Sequence, residues 1–113
     1  MQYVMLIIDT PAEPGQQSPE YGAWYAEIGA WYEKWGATCR LDGGHQLQGT
    51  ETAKTIRSGS VTDGPFIETK EVLGGYSVIE ADSIDEAVDV AKTWPGVDRG
   101  WITVEVRPAL EMG

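Results

Sequence analysis

Hydrophobic positions divide the chain into two helical segments and a set of short strands. Residues 3–8 are an almost unbroken apolar run. Such a run is typical of a strand that is buried on both faces, so we expect it at the centre of a sheet. Residues 9–17 contain two prolines and a glycine, and they are interpreted as a loop that crosses the edge of that sheet.

The first helix is predicted to begin at Ser18, as its N-cap, with Pro19 in the first helical position, and to end near Gly36. Its large apolar residues fall on one stripe at helical spacing: Tyr21, Trp24, Tyr25, Ile28, Trp31, Tyr32 and Trp35. An aromatic stripe of this kind is usually core. Six aromatic side chains are many for one small sheet to cover, so the rim of the stripe is expected to reach a subunit interface or a pocket.

The middle of the chain is predicted to be strand and turn. Residues 43–48 form a weak strand between glycines, and residues 53–57 form a better one. Residues 58–60 are interpreted as the turn of a hairpin that continues into Val61 and Thr62. The next core strand is predicted at residues 76–80.

The second helix is predicted to begin at Ser83, which forms a capping box with Glu86. Its expected buried stripe is Ile84, Ala87, Val88, Ala91 and Trp94. Residues 101–107 then alternate, with one face formed by Ile102, Val104 and Val106. This order of elements is that of a ferredoxin-like βαββαβ protomer with an inserted hairpin, in the α+β class.

Right-handed crossovers would place both helices on one face of the sheet. The strand at residues 3–8 is nevertheless apolar on both faces, so a second layer is needed. A symmetric partner subunit is the simplest cover, because two-fold dimers are the commonest soluble oligomers. The pattern therefore predicts a homodimer.

Composition places limits on partners and location. The 113 residues suit a single domain over residues 1–113, and 18 acidic against 8 basic residues give a formal charge of -10. That charge should repel phosphate backbones and anionic lipids, so neither nucleic acid nor a membrane is expected as a partner. The short apolar run near Met1 has no basic leader, which favours a cytoplasmic protein. The single Cys39 is interpreted as structural.

The least generic stretch is residues 62–76. Asp63, Gly64 and Pro65 predict a hard turn, since Asp bonds nearby backbone, Gly tolerates positive φ and Pro presets φ. Four ionisable side chains follow one another within nine residues: Asp63, Glu68, Lys70 and Glu71. The two glycines at 74 and 75 then allow the backbone to approach another group closely. Such a concentration suggests a site, although a solvated loop with a tight turn remains open.

These residues resemble a known signature. Asp63-Gly64-Pro65-Phe66, together with residues 68–71 and 73–76, is similar to the signature of DGPF proteins, a branch of the YCII-related family. The resemblance extends to residues 3–8, 55–57 and 104–108. It implies a dimeric α+β barrel of ferredoxin-like protomers. It implies much less about activity, because one fold hosts many functions.

Two residues are candidates for acid/base chemistry. His45 is the only side chain whose ordinary pKa lies near neutrality. The resemblance adds Asp63, the first residue of the signature, and a suggested His and Asp pair in a cleft of the barrel. That histidine belongs to the first helix in YCII proteins, whereas the first helix has none here. A surface histidine at 45 and a turn-forming carboxylate at 63 are the alternatives.

Further candidates for ligand binding surround the signature: Arg57, Phe66, Glu68, Lys70 and Tyr76. An arginine such as Arg57 can hold an anionic group through two hydrogen bonds, whereas ion pairing within the segment would explain Glu68 and Lys70 without a ligand. One histidine and one cysteine make a metal site improbable, and no motif indicates a cofactor.

Two functional hypotheses therefore stand. In the first, the dimer encloses a pocket over the uncovered face of the sheet, where it binds a small organic molecule and acts on it by acid/base chemistry. In the second, the protein is a non-catalytic module that binds a ligand or a protein, with a link to transcription through a sigma factor that the resemblance suggests.

Overall fold

The computed structural model describes residues 1–38, 40–66 and 69–110. It is a mixed α+β structure whose main sheet has four antiparallel strands in the order β2-β5-β1-β6. The strands of this sheet are β1 at Gln2–Asp9, β2 at Leu41–Gln46, β5 at Val72–Glu80 and β6 at Ile102–Pro108. The apolar run of residues 3–8 is therefore central, as predicted.

Two helices and a separate hairpin complete the chain. The helices are α1 at Tyr21–Ala37 and α2 at Ile84–Ala91, and the hairpin strands are β3 at Lys54–Arg57 and β4 at Ser60–Asp63, preceded by a short 3-10 helix at Thr50–Thr52. Without the hairpin and that turn, the order of elements is βαββαβ. The hairpin pairs only Lys54–Arg57 with Ser60–Asp63 and forms a sheet of its own.

The core lies between the two helices and one face of the main sheet. Alternate residues of β1 point into it. They form one buried cluster with residues of both helices, of the neighbouring strands and of the segments after them: Tyr3, Met5, Ile7, Trp24, Trp31, Ile79, Ala81, Ala87, Val90, Ala91, Trp94 and Ile102. Both helices thus cover the same face. This arrangement follows from the period of two in the strands and the aromatic stripe of α1.

The opposite face of the sheet has no covering layer in the described chain. We call it the outer face; its apolar residues on β1 and β5 are Val4, Leu6, Ile8, Tyr76 and Val78, all half-buried. Cross-strand pairs such as Leu6 with Tyr76 make it continuous.

Two sequence predictions about the helices were wrong in detail. Ser18 does not cap α1, because residues 15–21 close two turns first: the Ser18 N–H donates to Gly15 O and the Tyr21 N–H donates to Ser18 O. In α2 the buried stripe includes Val90, 3% exposed, rather than Val88, 42% exposed. Ile84 is likewise exposed, since α2 is rotated so that Ala87 and Ala91 face the sheet.

The N-cap of α2 at Ser83 is confirmed, whereas the return bond of Glu86 goes to Asp82, one residue before the cap. The Ser83 hydroxyl accepts a hydrogen bond from the Glu86 N–H at 3.2 Å, and the Glu86 carboxylate in turn accepts from the Asp82 N–H. The alternation of β6 is confirmed too, with Ile102 buried and Val104 and Val106 half-buried on one face.

Candidate functional site

A cavity lies between α1 and the helix side of the sheet, opposite the outer face on which a pocket was predicted. Its volume is about 240 Å³. Aliphatic side chains of β1, α1 and β6 form part of its wall, and the rest is largely aromatic: Tyr21, Trp24, Tyr25, Tyr32 and Trp94. The rim of the aromatic stripe therefore reaches a pocket, one of the two outcomes that the sequence predicted.

The aromatic walls are held by hydrogen bonds at their polar ends. The Trp24 Nε1–H donates to Pro95 O at 2.9 Å, and the Trp94 Nε1–H donates to the Tyr32 hydroxyl at 3.4 Å. That hydroxyl also lies 3.0 Å from the Ser77 hydroxyl. Because these polar atoms are satisfied within the protein, the rings are fixed and their apolar faces remain for a ligand.

Two tyrosines of the first turns of α1 form the rim. Tyr21 and Tyr25 stack with ring centroids 5.9 Å apart and planes at 24°. Tyr25 is 53% exposed, so its ring borders both the cavity and solvent. Tyr21 also contacts the buried Trp24 edge-on, at 6.2 Å between centroids. The rim is thus continuous with the aromatic core.

A β-bulge places the first carboxyl group of the cavity. The register between β1 and β5 shifts after Ile7, so that Gly75 pairs with Ile7 and Leu73 with Ile8, which leaves Gly74 as the extra residue. Asp9 ends β1 beside it and lines the cavity. A Cβ atom on Gly74 would lie 2.6 Å from Asp9 Cγ. Only glycine therefore leaves room for the carboxyl group in this position.

The second carboxyl group comes from the loop that follows β1. Glu13 lines the cavity and forms a side-chain hydrogen bond with Asp9. The loop is fixed by Thr10, whose hydroxyl donates to Trp101 O at 2.8 Å and accepts from the Ala12 N–H at 3.2 Å. The Glu13 N–H donates to Thr10 O, which closes a turn.

Burial and proximity change the proton affinity of both groups. Burial raises the pKa of Asp9, and the hydrogen bond with Glu13 opposes that rise. Burial, followed by the hydrogen bond and the negative charge of Asp9, raises the pKa of Glu13 to about 8. Two neighbouring carboxyl groups cannot both ionise without repulsion, so the pair holds one proton at neutral pH.

The rest of the polar lining comes from the edge strand β2. His45 and Gln46 border the cavity next to Gly74 and Gly75. Among the described residues that line it, there is no lysine or arginine. The site consequently offers hydrogen bonds and carboxyl groups to a ligand, without a cation to hold an anionic one.

The structure puts the predicted site residues in two separate places. His45 is an exposed residue of β2 that borders the cavity, and its ring lies 5.9 Å from that of Tyr76 on the outer face. Asp63 ends β4 in the hairpin, where its side chain is 85% exposed and forms an ion pair with Lys54. The hairpin belongs to a different sheet from His45.

The other signature residues follow the hairpin. The Arg57 guanidinium lies over the Phe66 ring at 4.4 Å from its centroid, and Lys70 is exposed. Pro65 and Phe66 border a second, more open groove of about 650 Å³ that runs along residues 47–50 and 71–73. Glu68 and Cys39 lie outside the described residues.

Sequence reasoning missed Asp9 and Glu13 as site residues. A signal was present: Asp9 directly follows a buried strand, and the glycines at 74 and 75 predicted a close approach to the backbone. The separation of Asp9 and Glu13 in the sequence does not show that their side chains meet, because that contact depends on the turn at Thr10. No group of three or more metal-ligating side chains occurs among the described residues, and none of their helices is long and apolar enough to span a membrane.

Comparison with known proteins agrees with this fold. The sequence profile of the YCII-related domain matches residues 1–112. A solved structure, 5-chloro-2-hydroxyhydroquinone dehydrochlorinase (TftG) from Burkholderia phenoliruptrix AC1100 in complex with 2,5-dihydroxybenzoquinone, superposes with a TM-score of 0.56 at 20% identity, covering 99% of this chain and 96% of that one. At this identity the likeness shows a shared fold.

A curated relative extends the comparison at the level of sequence. An uncharacterized protein of Rhizobium meliloti (strain 1021) is 40% identical over 67 residues, which are 56% of this chain. The match spans about half of that relative, 54% of its length. The molecule is thus a small α+β protein with an aromatic cavity beside its sheet. It belongs to the YCII-related family.

Proposed function

We propose that this protein binds a small organic molecule with a single ring in the cavity between α1 and the sheet. The aromatic lining of that cavity carries the proposal. A cavity of about 150 Å³ accepts benzene, so a volume of about 240 Å³ suits one ring with substituents. The TftG dehydrochlorinase, which shares the fold, is described in complex with a dihydroxylated quinone ring, and this supports a ligand of similar size.

Filling the cavity tests this proposal. Gly29 lines the cavity and has open space where a side chain would begin, whereas Gly22 lies on the same helix with open space and away from the cavity. Gly29→Leu should abolish the change in tryptophan fluorescence that the neutral ring 2-hydroxycyclohexanone causes, and Gly22→Leu should leave it intact. A fluorescence change that survives Gly29→Leu would place the ligand elsewhere and overturn the proposal.

Acid/base chemistry on the bound ring is part of the proposal. His45 borders the cavity, and an imidazole is the side chain that proteins most often use for proton transfer, which supports the catalytic role predicted for it. Asp63 would act only if a second chain brought its hairpin to a cavity, because its partner within the described chain is Lys54.

The proposal includes a homodimer of ferredoxin-like protomers that pack through the outer face into an α+β barrel, in the cytoplasm. The continuous apolar row of Leu6, Ile8 and Tyr76 supports it, since a two-fold partner would remove this surface from water. Light scattering should give a dimer mass for the parent and a monomer mass for Leu6→Lys. A monomeric parent at micromolar concentration would exclude the barrel.

The hairpin supports a second candidate function, the non-catalytic binding of a protein partner such as a sigma factor. Ile56 and Val61 pair across the hairpin and are 77% and 65% exposed, and Phe66 is 64% exposed. Exposed apolar patches commonly mark interaction sites. Co-purification of a sigma factor that is lost in Ile56→Ser would favour this function, and binding unaffected by the substitution would exclude the hairpin.

A further inference from the structure

We propose that Asp9 and Glu13 are the acid/base pair of the aromatic cavity and that they interconvert the keto and enol forms of a neutral, hydroxylated ring ketone. This inference rests on the proposed function, because the ring must first bind in the cavity. Neither Asp9 nor Glu13 belongs to the signature at residues 62–76, and neither was predicted as a site residue.

Three structural features bring Asp9 and Glu13 together at the wall of the cavity. The bulge at Gly74 and the absence of a Cβ atom there hold the Asp9 carboxyl group at the cavity wall. The Thr10 turn brings Glu13 from the following loop into a hydrogen bond with it. Bulges next to active sites commonly re-aim one side chain, and here the side chain is a carboxylate.

The charge of the cavity indicates which ligand suits it. The described lining holds no lysine or arginine, so a ligand with its own carboxylate or phosphate would meet uncompensated repulsion from the pair. A neutral ligand with a carbonyl and a hydroxyl group can instead accept the hydrogen bond of the protonated partner and donate one to the ionised partner. The aromatic walls favour a ring between these polar groups.

The reaction needs no further reactant. The ionised Asp9 removes a proton from the ring carbon beside the carbonyl group, and the electron pair of the broken C–H bond forms the C=C bond. The carbonyl oxygen takes the proton of Glu13 and becomes the enol hydroxyl. Asp9 is then protonated and Glu13 ionised, and transfer of the proton along their hydrogen bond restores the pair. General acid and base contributions of this type are typically about 10²- to 10⁴-fold.

Other titratable residues border the same space. They lie on α1 and β2 and are Tyr21, Tyr25, Tyr32 and His45. Tyr32 is engaged with Ser77 and Trp94. His45 is therefore the main rival as the base. A histidine base would be insensitive to a change at Glu13.

The experiment measures proton exchange and binding separately. In D₂O, the protein should accelerate deuterium incorporation at the carbon beside the carbonyl group of 2-hydroxycyclohexanone, followed by NMR. Asp9→Asn and Glu13→Gln should each reduce this rate at least about 100-fold, in line with the loss of an acid or base. Glu33→Gln, at an exposed position of α1, is the matched control and should keep the parent rate.

A variant at Gly74 tests the position of the Asp9 carboxyl group without removing its charge. Gly74→Ala keeps both carboxyl groups but displaces Asp9, so it should lose exchange while retaining the fold, and Gly22→Ala should lose nothing. In the parent, the rate should fall as pH rises past about 8, where Glu13 loses its proton.

The outcomes distinguish the two proposals. A parent whose tryptophan fluorescence changes with 2-hydroxycyclohexanone but which does not accelerate exchange overturns the acid/base pair and leaves ring binding standing. The absence of both overturns the two together. Exchange that persists in Asp9→Asn and disappears in His45→Gln would assign the base to His45 and overturn the inference.

Discussion

Two regions of this molecule carry carboxylates, and their surroundings differ. At the cavity, Asp9 and Glu13 lie against aromatic walls, are half-buried and are joined by a hydrogen bond. In the hairpin, Asp63 belongs to the most distinctive stretch of the sequence, yet it is exposed and bound to Lys54. A distinctive sequence motif and the carboxyl groups whose pKa values are raised by burial can therefore lie in different regions of one molecule.

The physical reason is burial. A carboxylate that stays in water keeps its hydration, and a surface ion pair contributes little free energy. A carboxyl group taken partly out of water beside another one resists ionisation, which gives it a working proton near neutral pH. The cavity therefore has the chemistry of a site, whereas the hairpin has the exposed apolar side chains of a docking surface.

The largest effect should come from the wall of the cavity. Trp24→Ala removes a buried ring that donates to Pro95 O, so the free energy of unfolding should fall by about 3–5 kcal/mol. Tyr25→Ala, at the exposed rim of the same helix, should cost much less. Chemical denaturation of both variants measures the contrast, and equal losses would mean that Tyr25 is covered in solution.

A smaller effect should appear in the pH dependence of stability. The pKa of Glu13 is raised from 4.5 to about 8, so between these values the folded state holds a proton that the unfolded state has released. The free energy of unfolding should therefore fall as pH rises through this window, by at most about 1.4 kcal/mol per pH unit.

Glu13→Gln should flatten this dependence, whereas Glu33→Gln should leave it unchanged. Denaturant titrations at several pH values provide the comparison. A parent whose stability does not change between these pH values would show that Glu13 ionises normally, and the contrast between the two regions would disappear.

The smallest effect should come from the hairpin. Asp63→Asn removes the ion pair with Lys54 but keeps the ability to form the turn, so stability should change by less than about 1 kcal/mol. Asp63→Ala should likewise change stability by less than about 1 kcal/mol, because the contact of this carboxylate in the hairpin is the exposed ion pair with Lys54. Ring binding in the cavity should be unchanged in both variants. If both bind the ring more weakly, the hairpin of a second chain contributes to the site.

The helices and strands were largely predictable because they follow from the spacing of apolar residues along the chain. The central position of β1, the N-cap at Ser83 and the alternation of β6 all depend on near neighbours, and all three are confirmed. The start of α1 and the rotation of α2 were wrong, because turns around Ser18 and packing against the sheet decided them. A spacing of three or four residues does not choose between Val88 and Val90.

The sequence by itself determined the α+β class, the family and the aromatic side of α1, since these follow from residue type and spacing along the chain. Only the tertiary structure decided which carboxylates meet. Asp9 and Glu13 depend on a bulge between two strands and on a turn closed by Thr10, while Asp63 depends on a hairpin that forms its own sheet. Burial, and with it proton affinity, is a property of contacts between distant segments, so it exists only once the chain has folded.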